Sequence, residues 1–308
     1  MLNIERLRVL HAVAVTGSVA GAAQVLHVTT SAVSQQMARL ERETGHRLAE
    51  RHGRGIRLTE AGLLLAGGAG RLLVQAEEVE AALAGYSGLV TGTLAVAAFA
   101  TAVRGLLPGA LQDLRSCYPD LSVSVSEQEP HEAIPALRRG DVDIAIVQDW
   151  PGAPLDVPGG LSRMDLIDDP FDAALPAGHP LAIRENVTIA ELAADDWITW
   201  STGQICHDWL TATLRACGGQ PRIRHTASEH STQLALVAAG LGTALVPRLG
   251  RDPAPPQIRF VLVDPPPVRH VFALWRASSA ARPAIAATVE ALRPARAVAA
   301  PSGMVGRS

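Results

Sequence analysis

Between residues 29 and 39 the sequence places Thr29, Thr30, Ser31, Ser34, Gln35 and Arg39 on or beside one face of a helical pattern, with Val33, Met37 and Leu40 on the other. Short hydroxyl and amide side chains crowded into a helix's first turns offer donors and acceptors to base edges. The free backbone amides of the same turns point at phosphate. Arg47, Arg51, Arg54 and Arg57 then cluster around Gly53 and Gly55. That spacing predicts a two-stranded wing, with Arg51 and Arg54 reaching the phosphates of an adjacent groove.

A second set of polar residues stands where predicted strands end or helices begin: Thr101, Glu129, His131, Gln148, Ser201, Thr202 and Ser231. Small molecules bind at such junctions in open α/β folds. Paired hydroxyls and helix-start amides suit a carboxylate, whereas Glu129 favours an amino group, so a carboxylate or an amino acid fits both. Helix capping explains each residue taken singly. Cys206 and Cys217 fall on one predicted helix about 16 Å apart, against the roughly 4.4–6.8 Å between Cα atoms that a disulfide needs. Cys206, beside His207 at a helix start, is expected to have a lowered pKa, which keeps a thiol-based sensor open as an alternative; inert thiols are the default. No Cys-x-x-Cys, His-Glu-x-x-His, Gly-x-Ser-x-Gly or Gly-x-Gly-x-x-Gly occurs, and the histidines lack metal-ligand spacing. The chain contains no lysine, which excludes Schiff-base and phosphate-loop lysine chemistry. The expectation is no enzyme, no cofactor and no metal.

The elements that must position these residues follow from periodicity. Helical stripes run over residues 7–14, 18–26 and 30–44. Residues 59–88 carry a heptad of Leu65, Leu72, Val79 and Tyr86, interleaved with Ala69, Ala76 and Leu83, which fits a two-helix seam. Gly67, Gly68 and Gly70 in its middle predict a bend or dependence on a partner helix. From Thr93 strands and helices alternate: strands at 94–99, 121–125 and 141–147, helices at 104–117 and 131–139. A Pro/Gly-rich break follows at 151–160. A second unit starts near Leu161 with strands at 164–167, 173–176, 197–200 and 222–225, and helices from Thr188, Ile205 and Ser231. Strands at 258–263 and 269–275 and a helix from about Ala280 end the pattern.

The run Val28-Thr29-Thr30-Ser31-Ala32-Val33-Ser34-Gln35-Gln36-Met37, with Leu40-Glu41, Gly45, Arg51 and Leu58-Thr59-Glu60-Ala61-Gly62, resembles the winged helix-turn-helix of LysR-type transcriptional regulators. Thr30 stands where the family usually has Gln, and Ala49 where it favours Phe. Gly140-Asp141-Val142-Asp143-Ile144-Ala145, Gly178-His179-Pro180-Leu181-Ala182 and Val237-Ala238-Ala239-Gly240-Leu241-Gly242 resemble recurrent segments of its effector domain. The resemblance implies an α/β chain: an N-terminal all-α winged helix-turn-helix (1–58), a dimerising linker helix (59–89) and a two-lobed periplasmic-binding-protein-like effector domain (90–296). Lobe I is expected at about 90–160 and 268–296, lobe II at about 161–267, and a disordered tail at 297–308. It implies effector contact at Thr101 and Thr202, and a ligand-responsive DNA-binding regulator that pairs into dimers and then tetramers. The partners expected are double-stranded operator DNA, a small-molecule effector, further copies of the chain and RNA polymerase, with no membrane. The competing reading is an α/β small-molecule-binding or catalytic protein whose head is an interaction module.

Charge supports the division. The 308 residues carry a net charge of −3, which excludes a uniformly basic coat for nucleic acid. Residues 1–58 hold eight arginines against four glutamates, whereas the rest hold 19 arginines against 26 acids. A basic head sits on an acidic body. Three cysteines are too few for a disulfide framework. The first residues lack a signal-peptide pattern and no apolar run is long enough for a bilayer, so the cytoplasm is the expected location.

Overall fold

The computed structural model describes residues 2–26, 28–52, 55–218 and 220–293. The expected tail at 297–308 lies outside the described residues. Three helices open the chain, α1 (Ile4–Thr16), α2 (Val19–Val25) and α3 (Thr30–Thr44). Asn3, Ser18 and Thr29 cap them by accepting the backbone N–H groups of Arg6, Gly21 and Ala32, donors that the first helical turn leaves unpaired. Leu10, Val13, Ala22, Val33 and Leu40 close a common core. Strands β1 (Ala49–His52) and β2 (Gly55–Leu58) pair antiparallel as the wing. Glu41 ties it to α3 by accepting the backbone N–H of Leu48 at 2.8 Å and of Ala49 at 3.3 Å.

Helix α4 (Glu60–Ser87) starts where Thr59 accepts the backbone N–H of Gly62. It runs unbroken through Gly67, Gly68 and Gly70, where the glycines predict a bend or dependence on a partner helix. The heptad divides in two. Leu65 and Ala69 pack into the core of the head, together with Ala66, because α1 lies along the first half of α4. Leu72, Val79, Leu83 and Tyr86 remain exposed. Only the second half of the predicted seam is therefore open to a partner.

Lobe I comprises β3 (Gly92–Ala98), α5 (Ala100–Gly105), α6 (Leu107–Cys117), β4 (Leu121–Glu127), α7 (Pro130–Arg139) and β5 (Ile144–Asp149). The single helix expected at 104–117 is two, because Pro108 favours a first helical turn and the chain restarts at Leu107. Strand β6 (Leu161–Pro176) leads into lobe II, which holds β7 (Asn186–Val187), α8 (Ile189–Leu192), β8 (Asp196–Thr199), α9 (Ile205–Ala216), β9 (Arg222–Thr226), α10 (His230–Ala238), β10 (Ala244–Pro247) and β11 (Ile258–Val263). β12 (Val268–Arg276), a 3₁₀ turn (Ala277–Ser279) and α11 (Pro283–Ala291) return to lobe I.

The strands at 164–167 and 173–176, expected as separate, are one. Residues 161–170 of β6 pair with β12, and residues 171–176 pair with β10 and β11. The crossover between lobes thus falls at Pro170–Phe171 and not near Leu161. Asp168-Asp169-Pro170 has the composition of a loop, yet Asp169 stays within the strand because its charge is paired inside the protein. The main sheet has the order β4-β3-β5-β12-β6-β11-β7. β3, β4 and β5 are parallel while β12 and β6 depart from that pattern, β12 pairing antiparallel with both β5 and β6, so lobe I is mixed and not purely parallel.

Candidate functional site

The exposed face of α3 is the first candidate. Thr30, Ser31, Ser34, Gln35 and Arg39 are all open to solvent, set there by the burial of Val33, Met37 and Leu40 opposite. Thr29 is also exposed, but its hydroxyl caps the helix by accepting from Ala32 at 3.1 Å. The Ser34 hydroxyl donates to the Thr30 carbonyl at 2.9 Å, leaving its lone pairs free. Arg51 lies on β1 opposite Ile56, at the wing's outer end; Arg54 lies outside the described residues. Arg57 is paired with Glu50 at 2.7 Å and is thereby partly neutralised.

The second candidate lies between the lobes and centres on a residue that sequence reasoning missed. Arg269 on β12 is buried, with Nε and Nη2 both donating to Asp169 Oδ2, at 2.9 and 2.7 Å. Two further N–H groups donate, one of Nη1 to Gln148 Oε1 and one of Nη2, at 2.7 Å, to Thr101 Oγ1. Asp169 Oδ1 accepts the backbone N–H of Leu249. A charge removed from water is tolerable only when paired and hydrogen-bonded in this way. Two expected effector residues, Thr101 and Gln148, are thus buried and committed to holding Arg269. Phe99 and Phe171 present ring faces to the same guanidinium. An arginine in an apolar strand pattern reads as solvent-facing, which is why periodicity did not find it.

A cavity of about 840 Å³ opens beside this centre. The start of α7 lines one wall with Glu129 and His131, and α9 the other with Gln204, Asp208 and Trp209; Asp156 completes the rim. Trp209 stacks on Trp150 with ring centroids 3.8 Å apart. Burial lifts the Glu129 carboxyl above the usual carboxylate range, and Arg269 and His131 only partly offset it. His230, at the start of α10, is buried, and neither ring nitrogen has a hydrogen-bond partner among the described residues. Burial, then Arg104 and Arg269, push its pKa down to about 3, so the ring is neutral.

The remaining expected residues do not converge here. Ser201 pairs with Ser228 at 2.8 Å. Thr202 lines a separate cavity of about 650 Å³ with His207 and Arg215, and Ser231 is exposed. Cys206 is buried, and its thiol is pushed up to about 12 by that burial, opposite to the lowering expected from its helix-start position. The charge of Arg269 lowers it by less than burial raises it. Cys117 and Cys217 are exposed. Among the described residues no group of three or more His, Cys, Asp or Glu is arranged to hold a metal ion, and no helix is long and apolar enough to cross a membrane.

A helix-turn-helix head with a two-stranded wing, a long helix and a two-lobed α/β body define a DNA-binding regulator of the one-component architecture. Two family models match this chain: the bacterial regulatory helix-turn-helix protein, lysR family, over residues 4–63, and the LysR substrate binding domain over residues 87–297. The chain belongs to the LysR family of DNA-binding transcriptional regulators with an effector-binding domain. It is 31% identical over 297 residues to the probable HTH-type transcriptional regulator LrrA of Synechococcus elongatus, covering 95% of this chain and 97% of that protein. It is 28% identical to the DNA-binding transcriptional dual regulator OxyR of Escherichia coli, over 95% of each. Full-length OxyR from Pseudomonas aeruginosa superposes with a TM-score of 0.73 at 26% identity, covering 95% of this chain and 98% of that one.

Proposed function

We propose that residues 1–58 read double-stranded operator DNA, 59–89 pair two chains, and 90–296 sense a small molecule. The observation that carries the DNA reading is the exposed polar face of α3, with Thr30, Ser31, Ser34, Gln35 and Arg39 available to base edges beside an arginine-bearing wing. In this reading Thr29 positions the helix start and Arg51 and Arg54 hold phosphate. Dimers joined along α4 assemble into tetramers and act on DNA and RNA polymerase in the cytoplasm. The solved complex of CbnR with its target DNA, which shares this fold, supports the geometry.

The effector occupies the inter-lobe cavity. Among the described residues Glu129, Asp156 and Asp208 line it and no arginine does, while the nearby Arg269 has its charge paired with Asp169 and donates also to Gln148 and Thr101. A ligand bearing an amino group is therefore favoured over a simple carboxylate, and an amino acid is accommodated through its ammonium end. Of the expected contacts Glu129 and His131 line this cavity, Thr101 and Gln148 contribute by holding Arg269, and Ser201, Thr202 and Ser231 do not line it.

The DNA reading is tested by salt titration. Replacing Arg51 and Arg54 together by Ala weakens duplex binding and flattens the slope of log K against log salt by about 0.9 for each phosphate that is no longer neutralised. An unchanged slope removes the wing from the interface.

A further inference from the structure

Helix α7 forms part of the wall of two cavities. His131 and Pro135 line both the cavity between the lobes and a second one, of about 880 Å³, between α1 of the head and lobe I. The helix starts at the cleft with Glu129 as its N-cap and ends ten residues later, about 15 Å away, against the head and linker.

That far end is held closely. His11 of α1 meets Asp141, the second residue after α7, with Nε2 and Oδ1 2.8 Å apart and both side chains largely buried. A carboxylate only accepts, so Nε2 carries the proton. Arg139 donates to the other oxygen of Asp141 at 2.8 Å. Gly140 ends α7 at φ +86°, and a Cβ there would lie 2.7 Å from Val74 of α4. Gly70 of α4 faces the His11 ring and the Arg139 carbonyl, 3.1 and 3.4 Å from where its own Cβ would be. Head, linker and α7 therefore meet at one point with no room for larger side chains.

We propose that α7 is the intrachain coupling element, communicating between the effector cavity and the DNA-reading head through the His11–Asp141 pair. The proposal rests on the reader and sensor roles assigned above. Coupling between two sites is reciprocal, so DNA bound at the head must be felt in the body, and no effector is needed to test it. All five tryptophans, Trp150, Trp197, Trp200, Trp209 and Trp275, lie in the body and none in the head or linker. Tryptophan emission therefore reports on the body alone.

The experiment titrates the full-length chain at low salt with sheared GC-rich genomic duplex. Anisotropy of an end-labelled fragment measures binding, and selectively excited tryptophan measures the response. In the wild type, emission changes as the duplex saturates. His11→Ala and Asp141→Leu keep duplex affinity within about fivefold, the lower limit of usual coupling, and lose at least half of the tryptophan response. His11→Gln, which retains a donor for Asp141, preserves that response. If His11→Ala does not fold, Val74→Ala loosens the same junction and is read in the same way. A full response in the uncoupled variants overturns the proposal, as does a wild type that binds duplex without any change in emission. A wild type that binds no duplex overturns the reader assignment, and the coupling with it.

Discussion

Arg269 and Glu129 solve the problem of a charge out of water in opposite ways. The arginine is paired with the carboxylate of Asp169, whereas Glu129, which Arg269 and His131 balance only in part, keeps its proton to a higher pH than an ordinary carboxyl. A raised acid pKa in the folded state opposes folding once the group ionises, and contributes nothing below the unfolded value of 4.5. Glu129→Gln should therefore melt a few degrees above the wild type at neutral pH and coincide with it below about pH 4. The same variant tests the ligand class. Small amines at a hundredfold excess over Kd should stabilise the wild type by about 2.7 kcal/mol, while their carboxylate counterparts and the Glu129→Gln protein show no shift. Equal stabilisation by carboxylates would remove Glu129 from recognition.

The elements differ in how plainly the sequence spells them. α3 is legible from Thr30 to Thr44, as observed, because a capping Thr29, a stopping Gly45 and a two-faced pattern all agree. β6 reads as two strands because Asp168, Asp169 and Pro170 look like a turn when the partners of Asp169, Leu249 and Arg269, lie 80 and 100 residues away. The residues proposed to meet the effector are legible only as strand ends and helix starts. Sequence spacing cannot tell that Thr202 opens onto one cavity and Glu129 onto another, since α9 separates them. The glycines of α4 permit a further contrast. A methyl group on Gly67 meets nothing within 4 Å, whereas on Gly62 it would overlap the Leu48 carbonyl. Gly67→Ala should stabilise by up to about 1 kcal/mol, and Gly62→Ala should lower the melting temperature. A destabilising Gly67→Ala would show that this surface is filled by a partner helix in the assembled protein.

At the scale of the molecule, the proposed pairing of chains rests on the exposed second half of α4. Val79, Leu83 and Tyr86 are large apolar side chains open to water on one chain, and Leu72 precedes them by a heptad. Placing a charge among them, as in Val79→Glu with Leu83→Glu, should halve the mass measured by light scattering. It should also weaken duplex binding, because two half-sites are then no longer held by one particle. An unchanged mass would assign dimerisation to another surface. The net charge of −3 conceals this organisation, since it averages a basic reader with an acidic sensor.

The continuous strand β6 has a consequence for anyone who would recombine this protein with its relatives. Its first ten residues complete the sheet of one lobe and its last six the sheet of the other, without an intervening loop. Lobe II is therefore not a cassette. A chimaera cut at Pro170–Phe171 would join two halves of a single strand whose neighbours, β12 on one side and β10 and β11 on the other, come from different parents. Mismatched register at that one junction would disturb both sheets together, so the proposed effector site is more safely exchanged by grafting the cavity-facing residues of α7 and α9 than by swapping lobes.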